Sequence, residues 1–71
     1  LSAAAAAEVV DKLRQRLELH AWTQYAAGLR VTFSSGVAEH TLSVSLEQTI
    51  ERADGALYRA KEHGRNRVEQ A

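Results

Sequence analysis

Four of the chain's nine basic side chains, Arg59, Lys61, Arg65 and Arg67, fall within nine positions around Gly64. Such a cluster has two chemical uses. It can balance the partial negative charge at a helix C-terminus, where each cation contributes about 0.3–1 kcal/mol, or it can hold a strongly anionic ligand. The second use works against the helix dipole, which favours anions at the other end, so a ligand here must be held by side chains. Other chemistry is poorly served. His20, His40 and His63 stand about twenty residues apart and fit no compact metal-ligand motif. There is no cysteine, so neither a disulfide nor a thiolate site can form. Asp54 has no second acidic residue at the close, fixed spacing of a metal pair. No metal ligand and no catalytic residue is expected within the chain.

The basic cluster must be placed by a small scaffold. A chain of 71 residues holds one domain at most, and burial in so short a chain leaves little stability in reserve. Its formal net charge is zero, so any attraction for an anion is local and not a property of the whole surface. The longest apolar run, residues 3–7, is far too short to span a membrane. Zero net charge and the lack of interleaved aromatics argue against nucleic acid. The expected setting is soluble and cytoplasmic, with any membrane anchor left to a longer parent protein. The chain opens without methionine, directly in helix-forming sequence, as a piece of a longer protein does.

Residues 2–21 lack glycine and proline and are rich in good helix formers. Ser2 is a suitable N-cap, and Ala6, Val9, Val10, Leu13 and Leu17 line up as one apolar face. Trp22 and Tyr25 are expected to cover the end of the core. From Arg30 the period changes to two, with Val31, Phe33, Ser35 and Val37 on one side and small residues on the other, which predicts a strand over 30–39. Gly36 within it implies a bulge or a close backbone contact. Ser35 faces inward in this pattern and needs a hydrogen-bond partner if buried.

Ser45 and Gln48 stand in capping-box relation before a second helix, in which Leu46, Ile50, Ala53, Leu57 and Ala60 form the stripe, with Leu57 and Tyr58 at the core or its edge. Gly64 is placed to close it in the left-handed conformation, and Gly55 in its interior calls for a packing reason. Arg59 and Glu62 are spaced for a weak helical ion pair. The segment "NRVEQ" adds a last short strand. The order is helix, strand, helix, strand, and the strand at 30–39 needs a neighbour from elsewhere to seal its edge.

The stretch "ADGALYRAKEHGRNRV", together with "LRVTFSSGVAEH", resembles the C-terminal half of a GGDEF domain, the diguanylate cyclase family of bacterial signalling proteins. The signature hairpin of that family is absent. The resemblance implies an α+β fold, a helix-strand-helix-strand piece of a nucleotide-cyclase palm of ferredoxin-like type, covering residues 1–71. It also implies the condensation of two GTP molecules to cyclic di-GMP by a dimer that presents one substrate from each subunit. Metal-holding carboxylates for Mg2+ would lie in the missing N-terminal half, which is also the implied partner of the 30–39 strand, unless another copy exchanges a strand there.

Residue by residue, Lys61 and Arg65 match the family's phosphate-contacting pair, Gly64 sets the turn and Asn66 holds the local backbone. Lys12 corresponds to a secondary basic contact for cyclic di-GMP in some members, although by itself it reads as a solvated lysine. Ser35 departs from the large aliphatic usual at its position. The phosphate role leads for the complete domain, and the helix-end role leads for this chain alone, which is expected to be inactive. The alternative is a piece of a degenerate domain that senses nucleotide or docks a protein without chemistry.

Overall fold

Ser2 starts the first helix as expected: its Oγ accepts the Ala5 amide at 3.1 Å, and α1 runs Ala3–Leu19. The computed structural model describes residues 2–71, apart from the side chain of Thr23. The expected unit of 1–71 goes beyond this by Leu1, which lies outside the described residues. At the far end of α1 the chain turns extended at His20, and the Trp22 indole N–H donates to the Leu17 carbonyl at 2.6 Å. One of the carbonyls that a helix end leaves open is thereby satisfied. A single 3-10 turn, Trp22–Gln24, follows. Trp22 is half-buried, but Tyr25 is 67% exposed and covers no core.

The second helix, α2 at Leu46–Glu62, opens with both halves of the capping box: Ser45 Oγ accepts the Gln48 amide at 3.1 Å and Gln48 Oε1 accepts the Ser45 amide at 3.0 Å. Thr49, one turn in, is buried and bonds His40 Nδ1 at 2.7 Å, which pins the preceding loop to the helix. The strands flank this helix. β1 at Ser35–Val37 pairs in parallel with β2 at Val68–Gln70, in the register Ser35 to Val68, Gly36 to Glu69 and Val37 to Gln70. Parallel neighbours need a crossover, and α2 provides it.

Both helices touch both strands and neither touches the other, so the ribbon lies between them. Gly36 decides how close α2 comes. A Cβ built on Gly36 would overlap the Ala53 carbonyl oxygen and the Leu57 amide nitrogen. The close backbone contact predicted from the sequence is therefore real, and no bulge is needed to explain it. Gly55 has no such reason, since a Cβ there meets only the Arg59 guanidinium at 3.6 Å.

Two expectations need correction. The strand is three residues long and not ten, because β2 offers a ladder of only that length and extended backbone is held by pairing. The apolar faces are only partly covered: Leu13 is 53% and Leu46 63% exposed, with Val9, Ile50 and Tyr58 similar. Only Ala7, Thr49, Ala56 and Ala60 are buried among the described residues, so nothing larger than threonine is sealed. A body of 49 × 23 × 16 Å, one element thick per layer, cannot bury both sides of its helices. Ser35 is half-buried, and no described side-chain nitrogen or oxygen is buried without a partner. Among the described residues no helix is long and apolar enough to cross a membrane.

Gly36, which faces α2, and Gly55, which lies within it, should respond in opposite directions. Gly36→Ala is expected to lower unfolding stability by at least about 1–3 kcal/mol, because backbone atoms stand where the methyl must go. Gly55→Ala is expected to raise it by roughly 0.5–1 kcal/mol through helix propensity. Urea unfolding of the two variants side by side checks this, and equal effects would remove the close approach as an explanation.

Candidate functional site

The turn after α2 is built from three successive residues with positive φ: Gly64 at 117°, Arg65 at 61° and Asn66 at 46°. Left-handed backbone is easy for glycine, accessible to asparagine and costly for arginine, so a run of three must be held from outside. The holding is visible. Arg65 N–H donates back to the Ala60 carbonyl at 2.9 Å and Gly64 N–H to Lys61 at 3.4 Å, closing the helix end. Asn66 N–H donates to Ser34 Oγ, just before β1, at 3.1 Å.

The Asn66 side chain reaches α1. Arg14 Nη1 donates to Asn66 Oδ1 at 3.0 Å and to its backbone carbonyl at 3.4 Å, while Asn66 Nδ2 donates to Glu18 Oε2 at 2.5 Å. A cation on the oxygen side and a carboxylate on the nitrogen side leave the amide one sensible orientation. The network continues outward. Arg14 Nε pairs with Asp11 at 2.6 Å, and Glu18 lies 3.6 Å from Arg14 and 3.4 Å from Arg30. Two acids and two bases thus balance around the amide. The Arg14 side chain is only 15% exposed, far less than an ordinary surface arginine.

Asn66 therefore holds more than its local backbone, the role its family position implies. Arg14, Glu18 and Ser34 were not legible as site residues. The sequence does show Asp11, Arg14 and Glu18 at helical pair spacing, but nothing in it says what else they meet.

Lys61 and Arg65 are both exposed, at the last turn of α2 and in the turn that follows it. Among the described residues neither takes part in an ion pair. The backbone around them is already committed: the amides of His63, Gly64, Arg65 and Asn66 all donate within the chain. An anion placed here finds side-chain donors and no free nest of N–H groups. Arg67 folds over the turn, its Nε donating to the Arg65 carbonyl at 3.3 Å.

Arg59 does not pair with Glu62 as expected. It donates across to the Gln70 carbonyl at 3.1 Å, a contact that helical spacing alone does not reveal. His63 Nδ1 meets Glu69 Oε1 at 3.0 Å and ties the helix end to β2. Lys12 is exposed on α1 and forms no ion pair among the described residues. Nowhere among the described residues do three or more His, Asp or Glu side chains converge.

The comparisons agree with this architecture. Residues 1–67 match the family described as diguanylate cyclase, GGDEF domain. The chain is 38% identical over 68 residues, 94% of its length, to diguanylate cyclase A of Treponema denticola. It is 54% identical over 39 residues, 55% of its length, to diguanylate cyclase DgcM of Escherichia coli K12. To diguanylate cyclase VdcA of Vibrio cholerae it is 58% identical over 38 residues, 54% of its length. It spans 18% of the first of these relatives, 10% of the second and 11% of the third. No solved structure matches it. This chain belongs to the GGDEF domain family.

Two outcomes follow from the turn and its carboxylates. Asn66→Ala removes the amide between Arg14 and Glu18 and is expected to cost about 1–3 kcal/mol in thermal unfolding, the range for stranded polar groups. Asp11 is held below its ordinary 3.8 by hydrogen bonds from Arg14 and Gln15, and Glu69 below its ordinary 4.5 by its bond to His63 and by nearby arginines. Both carboxylates bind protons less readily when folded, so their support is complete above those ordinary values and is lost as pH falls through the depressed ones. The melting temperature should hold from pH 7 to about 5 and fall below about 4, with Asp11→Asn flattening part of that fall.

Proposed function

We propose that these residues form the C-terminal part of a diguanylate cyclase domain, in which Lys61 and Arg65 contact the phosphates of GTP during its condensation to cyclic di-GMP. The observation that carries this reading is the meeting of two exposed cations, in no ion pair among the described residues, with a turn whose four amides are already spent. Any anion bound there depends on those side chains. Phosphoryl transfer draws most of its catalysis from charge neutralisation and alignment, and one cation at the last turn of α2 with a second on the hydrogen-bonded turn after it contributes to both.

Magnesium, in this reading, is held by carboxylates in the N-terminal half of the domain. That half also covers the edge of β1 opposite β2 and the open apolar faces of α1 and α2. The complete domain works in the cytoplasm as a homodimer, each subunit presenting one GTP. Lys12 stays solvated, or meets cyclic di-GMP as its family counterparts do. This chain alone makes no cyclic di-GMP.

In the complete domain, Lys61→Ala and Arg65→Ala are each expected to weaken GTP binding by about tenfold or more, as loss of a charge-assisted hydrogen bond implies. The melting temperature should change little. Unchanged affinity with a lowered melting temperature would assign the cations to the helix end instead. Intact binding with no cyclic di-GMP formed by the unmutated domain would favour a degenerate, nucleotide-sensing member.

A further inference from the structure

We propose that Arg14 and Glu18 of α1 are positioning residues for the phosphate turn: by clamping Asn66 they fix the direction in which Arg65 presents its guanidinium. The inference rests on the phosphate-contact reading and adds a second element, α1, to the site.

The geometry supports it at three points. Arg65 and Asn66 both have positive φ, a state that an arginine does not hold unaided. The closing bond from Arg65 N–H to Ala60 fixes one side of the arginine; on the other, Arg67 Nε holds the Arg65 carbonyl at 3.3 Å and Asn66 carries the chain to α1. Asn66 in turn is held from outside the turn by Ser34 on its amide and by Arg14 and Glu18 on its side chain. Arg14 does this with a fork, Nε on Asp11 at 2.6 Å and Nη1 on Asn66 Oδ1 at 3.0 Å, a geometry that a lysine cannot reproduce.

Charge explains why the clamp can stand so near a polyanion site. A bare carboxylate at Glu18 would repel a triphosphate, but Arg14 and Arg30 lie at 3.6 and 3.4 Å and neutralise it. The positive charge that faces outward is then left to Lys61, Arg65 and Arg67. Arg14, mostly buried and already paired, is not a ligand group itself.

The test is a mutant cycle in the complete domain, with Arg14→Lys, Arg65→Ala and the double variant, reading KM for Mg-GTP, kcat and amide hydrogen exchange. Arg14→Lys is expected to raise KM about fivefold or more with kcat within twofold, and to add less than twofold when Arg65 is already alanine. Exchange of the Arg65 and Asn66 amides should quicken about tenfold while the Ala56 amide in α2 stays within twofold. An equal KM effect in both backgrounds, or uniform acceleration of every amide, overturns the proposal and leaves Arg14 a purely structural residue. If Arg65→Ala alone leaves KM unchanged, the phosphate reading fails; the exchange pattern then still decides whether the clamp exists. Glu18→Gln, a milder change on the opposite side of Asn66, is held to the same readings if Arg14→Lys does not fold.

Discussion

One side-chain amide joins the two halves of this molecule. Asn66 sits between the Arg14 cation and the Glu18 carboxylate, and its own N–H rests on Ser34, so a single residue ties the end of α2 to α1 and to the approach of β1. Arginine in left-handed backbone is unfavourable by itself. It persists here because the residues on both sides are over-determined: Ala60 receives its amide on one side, and Asn66 anchors the other. Bonds to charged groups are stronger than neutral ones, and half-burial keeps water from competing freely for them.

The packing around this tie is unusual for its lack of bulk. Among the described residues the sealed positions are three alanines and one threonine, which would be a poor core if tight approach did not compensate. Gly36 permits that approach, bringing the α2 backbone onto the ribbon where a side chain would hold it away. Val9, Leu13, Leu46 and Ile50 meanwhile stay exposed on the two helices, while Leu17 and Leu57 are half-buried. The spacing of these residues is that of buried faces, yet among the described residues they are only partly covered.

Electrostatics divides the site by role. The acids and bases near Asn66 cancel one another, the turn amides are consumed internally, and the unspent positive charge lies with the side chains that project from the turn. The same side chains stand at a helix C-terminus, where the dipole favours positive charge.

Much was legible in the letters because it is local. Both N-caps, the capping box, the left-handed Gly64 and the helix-strand-helix-strand order depend on residues a few positions apart, whose preferences act before any tertiary contact forms. The ADGALYRAKEHGRNRV stretch also carried the family. What was not legible depends on distance along the chain. Arg14 and Asn66 are separated by 52 positions and Ser34 and Asn66 by 32. Helical periodicity marks a face as apolar but cannot say whether anything covers it, so Leu13 and Leu46 read as core and emerge exposed. Strand propensity runs on through 30–34, yet a strand exists only where a neighbour accepts its hydrogen bonds, and β2 accepts three residues' worth. Local chemistry chose the elements and placed the cations; folding chose which distant groups hold Asn66, because a clamp is formed only when both of its jaws arrive in the same place.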